Sequence, residues 1–297
     1  MKGYILRAVY NRPEMLYLSL EAEAKAREVL NGDNYKTLFV IEHNPDPMCL
    51  EVIDKYYPFE KAAVVRPFRH FGWGNILEGF KQLFDDEETD YVLNIEDDCV
   101  VHDSYFTYMS DALSLMEGKD FSVINASRRH AKNAELDVLQ GTNLFEAPGC
   151  LMNGKFFNKY VRPYATYDYY RDRQSTIHLI NKRNGNDPRS KYRPERKNVF
   201  QHVGWDGMVN RLIDTAFIEE GIRSYSPKCD RQIHIGFYGQ NRGGKLPFNH
   251  RTFEERVEAL REVTTSATKM AELDKHYNDY IDFDPRLNGW KGQLRLV

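Results

Sequence analysis

Tyr91-Val92-Leu93-Asn94-Ile95-Glu96-Asp97-Asp98-Cys99-Val100-Val101 is the stretch on which the fold turns. An apolar run rich in β-branched and aromatic residues breaks at three consecutive carboxylates and then resumes, the pattern of a buried strand that ends at a site. Adjacent carboxylates repel one another, so positive charge belongs beside them. From Ser104 to Met116, the residues Tyr105, Phe106, Met109, Ala112, Leu113 and Met116 recur at helical spacing behind a Ser cap, which predicts the next helix. The acids then fall between a core strand and a helix, near the carboxyl end of the strand, where open α/β sheets bind ligands. An acidic triplet also serves as a plain solvated turn. The flanking strand favours a divalent metal site.

Outward toward the N-terminus, strands and helices alternate. Tyr4 to Tyr10 reads as a strand, followed by a helix with Asn11 as cap, Pro13 in its first turn and Glu14 in the capping-box position. Leu16, Leu20 and Ala24 share its inner face, and Asn31-Gly32-Asp33 stops it. Thr37 to Ile41 is a second strand ending at Glu42, Met48 to Tyr56 a helix, Ala62 to Val65 a third strand, and Asn75 to Phe84 a helix with Asn75 as cap and Glu78 three places on. This alternation predicts an α/β fold with a mostly parallel sheet flanked by helices.

Outward toward the C-terminus, Phe121 to Ser127 makes another strand, and Leu144 to Leu151 is a short apolar segment around Pro148-Gly149. From Lys155 to Lys197 the chain carries 12 Lys and Arg, 4 acids and 6 tyrosines. Basic and aromatic side chains together suit a phosphate- or sugar-bearing ligand; such a stretch is also often a solvated, loop-rich insertion. Trp205-Asp206-Gly207 opens a helix that runs to about Glu220 and closes at Gly221, with Asp206 in the first turn, where the helix dipole favours its ionised form. Arg231 to Gly236 is extended and leads to a Gly-rich loop with Arg242 and Lys245, suited to closing over a diphosphate. Thr252-Phe253-Glu254-Glu255 is a capping box for a last helix reaching about Leu273, and the tail with Trp290 packs back or frays.

The 297 residues suffice for a sizeable core, and 41% hydrophobic with 29% charged residues suits a soluble enzyme. A net charge of −3 gives no global attraction to nucleic acid or anionic membranes, though it permits a local basic patch. Cys49, Cys99, Cys150 and Cys229 stand apart in no metal-binding spacing and read as free thiols of a reducing compartment. The opening residues lack a signal-peptide pattern and no stretch reaches membrane-spanning length, so a cytoplasmic protein is expected. The expected organisation is one half over residues 1–120, a second over 121–250 with a basic insertion at 155–200, and a C-terminal helix and tail over 251–297.

Taken in order, these motifs resemble the GT-A glycosyltransferases, and within them the family of the Golgi β-1,2-N-acetylglucosaminyltransferase that starts complex N-glycans. Asn11-Arg12 after the first strand, Arg69-His70 before the helix preceding the acids, Glu96-Asp97-Asp98 with Phe106 beyond, Trp205-Asp206 at a helix start, and Ile233-His234-Ile235-Gly236 before a Gly-rich loop follow the family's order over residues 3 to 245. The resemblance implies that Asp98 ligates a divalent cation, Mn²⁺ or Mg²⁺, that bridges the phosphates of a UDP-sugar. It implies that Asp97 faces the ribose and Glu96 the donor sugar, that Arg12 meets the diphosphate or nucleoside and His70 the uracil, and that Asp206 is the base that deprotonates the acceptor hydroxyl. Glu42, Arg69 and Arg242 join the candidate donor-binding residues, and His234 is a candidate second metal ligand or phosphate donor. The resemblance also implies that residues 1–120 bind the nucleotide sugar and 121–250 the acceptor. Two departures are expected to matter: no stretch of these residues reads as the family's membrane helix and stem, and Gly207 stands where the family has a second Asp.

The chemistry agrees with these residue types. A sugar leaving a nucleoside diphosphate builds negative charge on the β-phosphate, which a carboxylate-held hard cation stabilises. The acceptor hydroxyl is a poor nucleophile and needs a carboxylate to take its proton. One base with in-line displacement gives inversion. The acceptor is a glycan or small molecule, or a 5-hydroxymethylated base in DNA, as in phage-type DNA glycosyltransferases, with the basic insertion holding the duplex or the flipped base. A metal-dependent nucleotidyltransferase or phosphohydrolase is the alternative, and it requires further acids such as Asp103 and Glu42 for a second metal. A non-catalytic nucleic-acid-binding module fits only the basic insertion.

Overall fold

The computed structural model describes residues 2–29, 35–67, 73–86, 88–127, 134–143, 145–164, 216–217, 220–237, 246, 251–273 and 282–297. In chain order the N-terminal elements are β1 (Lys2–Val9), α1 (Pro13–Val29), β2 (Lys36–Ile41), α2 (Pro47–Tyr56), β3 (Lys61–Val65), α3 (Trp73–Phe84) and β4 (Thr89–Asn94). After the acidic turn come β5 (Cys99–Val101), α4 (Tyr105–Leu115), β6 (Phe121–Ile124), β7 (Val138–Thr142), β8 (Cys150–Asn153) and the short α5 (Gly154–Phe156). The C-terminal part adds β9 (Arg223–Pro227), β10 (Gln232–His234), α6 (Phe253–Thr264), α7 (Ala267–Leu273) and β11 (Arg295–Leu296).

The elements build a mixed α/β molecule around a 9-stranded sheet of order β11-β7-β9-β6-β8-β4-β1-β2-β3, with β5 and β10 forming a separate two-stranded ribbon. The expected α/β class with a mostly parallel sheet is what the chain adopts. β1 is parallel to both β2 and β4, β2 to β3, β6 to β9 and β7 to β11; β8 runs antiparallel to β4 and β6, and β7 to β9. The sheet continues through strands on both sides of residue 120 and ends in the C-terminal tail.

The uninterrupted apolar character of the central strands follows from cover on both faces. Along β1, Leu6 points to a cluster with Val40, Val92 and Phe80 of α3, while Ile5 points to the opposite cluster with Leu93, Tyr105 and Met109 of α4. Along β4, Val92 and Leu93 divide between the same two clusters. A further cluster joins Met15 and Leu18 of α1 to Ile233 of β10, to Ile235 just beyond it, and to Val257 and Leu260 of α6. The ribbon is thereby packed against α1 at the end of the sheet where the acids lie.

Several local expectations change. Asn75 is inside α3 and buried, its side chain donating to the Val40 carbonyl at 2.8 Å and accepting from Arg66 Nε at 2.8 Å. It pins helix to sheet rather than capping the helix. Ser104 holds the cap position of α4 without a side-chain capping bond; its Oγ pairs with His102 Nδ1 at 3.0 Å instead. The capping box at Thr252 forms with Glu255, but the helix it starts stops at Thr264 and α7 begins at Ala267. The short strand β7 carried no reading in the sequence. The tail packs back: β11 pairs with β7, and the Arg231 guanidinium lies 4.7 Å from the Trp290 ring centre. All four cysteines are free and buried. Gly221 closes the helical turn at Ala216–Phe217 with φ +72° and its N–H on the Phe217 carbonyl, a left-handed position suited to glycine. No helix among the described residues is long and apolar enough to cross a membrane.

Candidate active site

The chain passes from β1 to β2 and β3 on one side and places β4 on the other, so the order of strands reverses between β1 and β4. The crevice outside the carboxyl ends of strands at such a point is where open α/β sheets take ligands. Arg12 follows β1 there, and Glu96-Asp97-Asp98 follows β4. The β1–β4 ladder runs one bond past β4, with Ile95 N–H on the Leu6 carbonyl at 3.0 Å, and a turn then closes with Cys99 N–H on the Glu96 carbonyl at 3.1 Å. The apolar run does resume after the acids, but in the ribbon and not in the main sheet.

The ribbon brings the second half of the site. Cys99 of β5 lies opposite His234 of β10, and the Ile235 N–H donates to the Asp98 carbonyl at 2.8 Å. His234 Nε2 thereby stands 3.0 Å from Asp98 Oδ2. Gly236 completes the approach, because a Cβ there would fall 2.3 Å from Asp98 Oδ2 and 2.8 Å from His234 Cε1. Any side chain at this position would drive the histidine and the carboxylate apart.

Arg12 bridges the acids. Its Nη1 is 2.5 Å from Asp98 Oδ2, its Nη2 binds Asp97 Oδ1, and its Nε lies 3.3 Å from Asp97 Oδ2. Burial pushes the Asp97 carboxyl above the usual carboxylate range, against the pull of Arg12. Burial acts on Asp98 in the same sense, but Arg12 and His234 together outweigh it and hold that carboxyl well below the usual range. For His234 burial favours the neutral ring, and the Asp98 charge overcomes it and raises the value. Asp98 Oδ1 is buried and has no hydrogen-bond partner among the described residues.

A second charged cluster lies behind the turn and carried no reading in the sequence. Arg7, fully buried in β1, pairs with Glu23 of α1 at 2.6 Å, and Glu23 also accepts from Arg27 at 3.0 Å and Tyr57 Oη at 2.6 Å. Ser19 links this cluster to the site. It receives Arg7 Nη1 at 3.1 Å, and its hydroxyl reaches the Cys99 carbonyl at 2.5 Å and the Glu96 carbonyl at 3.1 Å. A lone Arg inside the apolar strand Tyr4 to Val9 and a Glu–Arg pair at i,i+4 on the inner face of α1 are the signals that point to it.

Of the candidate residues, the structure unites Arg12, Asp97, Asp98 and His234. Glu96 is in the same turn, with its Oε1 3.4 Å from Asn94 Nδ2. Glu42 directly follows the neighbouring strand β2, is buried, and accepts from the His43 N–H at 2.9 Å. Arg69, His70, Asp206 and Arg242, with the basic stretch beyond Tyr164, lie outside the described residues.

No family model and no curated protein matches the chain. Among solved structures it is similar to TarS of S. aureus in complex with UDP-GlcNAc, at 16% identity and a TM-score of 0.39 over 53% of this chain and 47% of that one. It is similar to the mannosyltransferase PcManGT from Pyrobaculum calidifontis in complex with GDP-Man and Mn²⁺, at 9% identity and a TM-score of 0.40 over 53% of this chain and 46% of that one. A mannose-1-phosphate geranyltransferase from Thermus thermophilus aligns at 14% identity and a TM-score of 0.37 over 76% and 74% of the two chains. The chain spans about half the length of the first two, 47% and 46%. Likeness at this level assigns no donor, acceptor or reaction.

Proposed function

We propose that the chain is a divalent-cation-dependent glycosyltransferase that moves a sugar from a nucleotide donor, a UDP-sugar in the first instance, to a hydroxyl acceptor with inversion. The observation that carries the reading is Asp98: a buried carboxylate at the strand-order reversal, facing an imidazole, with one oxygen left without a protein partner among the described residues. An unpaired buried carboxylate oxygen is costly, and a cation is the partner that removes the cost. Asp98 and His234 would hold it. A mixed oxygen and imidazole set suits Mn²⁺ better than Mg²⁺, which prefers oxygen alone. When bound, the cation offsets the charge that builds on the departing diphosphate.

The chain's own groups supply the rest. Arg12 presents a planar fork suited to phosphate oxygens. Asp97 and Glu96 lie beside it for the ribose and the donor sugar, and Asp206 is proposed as the base for the acceptor hydroxyl. A two-metal nucleotidyltransferase is less well supported. Asp103 is taken up by Lys25 at 2.8 Å on the surface, and the described residues assemble no group of three or more His, Cys, Asp or Glu able to hold a metal. A single cation held by two side chains, with phosphate and water completing its coordination, matches that arrangement.

The test is nucleotide release by the purified protein with Mn²⁺ and a panel of UDP- and GDP-sugars. Each is run with glycans, small alcohols, and DNA with and without 5-hydroxymethylcytosine. Release from one donor, raised by one acceptor class and lost in Asp98→Ala, is the expected result. No release from any donor, or release unaffected by Asp98→Ala, overturns the reading.

A further inference from the structure

Arg12 is the one group in the site that both acids share. Its side chain keeps 20% exposure while Asp97 and Asp98 keep 5% and 3%, so of the three partners it is the one that already reaches solvent. It sits in the connection ahead of α1, and its carbonyl accepts from the Leu16 N–H at 2.9 Å. Its Nη1 and His234 Nε2 share the same Asp98 oxygen, at 2.5 Å and 3.0 Å. A cation held by Asp98 and His234 would therefore face a guanidinium bound to its own ligand. Like charges that close repel strongly at low dielectric. A diphosphate, by contrast, offers that guanidinium the bidentate oxygens it now finds on the carboxylates.

We propose that Arg12 is an exchange residue: it neutralises Asp97 and Asp98 and passes to the diphosphate when cation and nucleotide bind, which makes cation affinity conditional on the nucleotide. This rests on the glycosyltransferase reading of the site. By linkage, whatever Arg12 withholds from the cation alone it returns as coupling between cation and nucleotide.

Titration of the purified protein with Mn²⁺, followed by calorimetry and by the Mn²⁺ resonance signal, tests this without turnover. Arg12→Gln is expected to bind Mn²⁺ in the absence of nucleotide about tenfold more tightly than the wild type, with Arg12→Lys between them. UDP is expected to raise the Mn²⁺ affinity of the wild type more than that of Arg12→Gln; Asp98→Ala serves as the blank for chelation by UDP itself. Equal or weaker Mn²⁺ binding by Arg12→Gln overturns the exchange role while leaving the glycosyltransferase reading in place. Wild-type and Asp98→Ala titrations that coincide with UDP present remove both. Should Arg12→Gln not fold, wild-type melting decides: a rise that needs Mn²⁺ and UDP together supports exchange, and the full rise with Mn²⁺ alone refutes it.

Discussion

Two buried charge clusters lie on either side of the Glu96–Cys99 turn, and they are finished differently. Behind the turn, both oxygens of Glu23 are taken, by Arg7, Arg27 and Tyr57, and Tyr57 Oη in turn meets Thr37 Oγ1 at 2.5 Å. In front, Asp98 keeps an oxygen with no partner among the described residues, and its two nitrogen-bearing neighbours reach solvent, with side-chain exposures of 20% for Arg12 and 27% for His234. A saturated buried network is architecture, because every member would cost free energy if released. A network left open at one atom and at its solvent-facing rim is suited to exchanging a partner. Ser19 joins the two by touching the carbonyls at both ends of the turn.

The comparison breaks most easily at Glu23. Glu23→Ala leaves two buried guanidinium groups without a carboxylate and is expected to cost about 3–5 kcal/mol of stability by urea denaturation. A variant as stable as the wild type would mean that the rear cluster is no scaffold. Asp98→Ala belongs to the open cluster: a rate loss of about 10²–10³-fold, of the order seen when one electrostatic contact to a transition state is removed, is expected with a smaller fall in stability than Glu23→Ala. If Asp98→Ala is the less stable of the two, the roles of the clusters are reversed. Ser19→Ala removes a hydroxyl whose one proton lies between two carbonyls and is expected to cost about 1–3 kcal/mol while weakening Mn²⁺ binding in the presence of UDP. Weaker binding without lost stability would make Ser19 a positioning residue only.

The smallest effect concerns His102, at the other end of β5 from the acids. Burial drives its value below the ordinary 6.5, with Asp103 pulling the other way. The unfolded chain then binds the proton more tightly, so the contribution of His102 to stability is complete above about pH 6.5 and is lost as pH falls through the lowered folded value. His102→Asn is expected to flatten the stability profile on the acid side of neutrality. An unchanged slope would assign that titration to other groups and sharpen the contrast between the clusters further.

How much of this was legible varies with the range of the interactions. The acid-ended strand, the helix at Tyr105, the capping box at Thr252 and the glycine stop at Gly221 follow from patterns within one or two turns of chain. Asn75 misled because Asn ahead of an apolar run is a good cap by itself; only the sheet beneath α3 offers it the Val40 carbonyl and the Arg66 guanidinium. β7 escaped notice because Val-Leu-Gln-Gly-Thr is short and weakly patterned, and its strand character comes from pairing with β9.

By itself the sequence determined the α/β alternation, the central strand covered on both faces, and the presence of three acids at its carboxyl end. Those properties are local: periodicity, capping and side-chain type act between neighbours in the chain. Only the tertiary structure decided that His234 stands against Asp98, that Gly236 lets it approach, that Arg12 bridges both carboxylates, and that Arg7, Glu23 and Ser19 hold the turn from behind. These depend on strand register and on packing between segments far apart in the chain, where a one-residue slip turns a side chain to the opposite face.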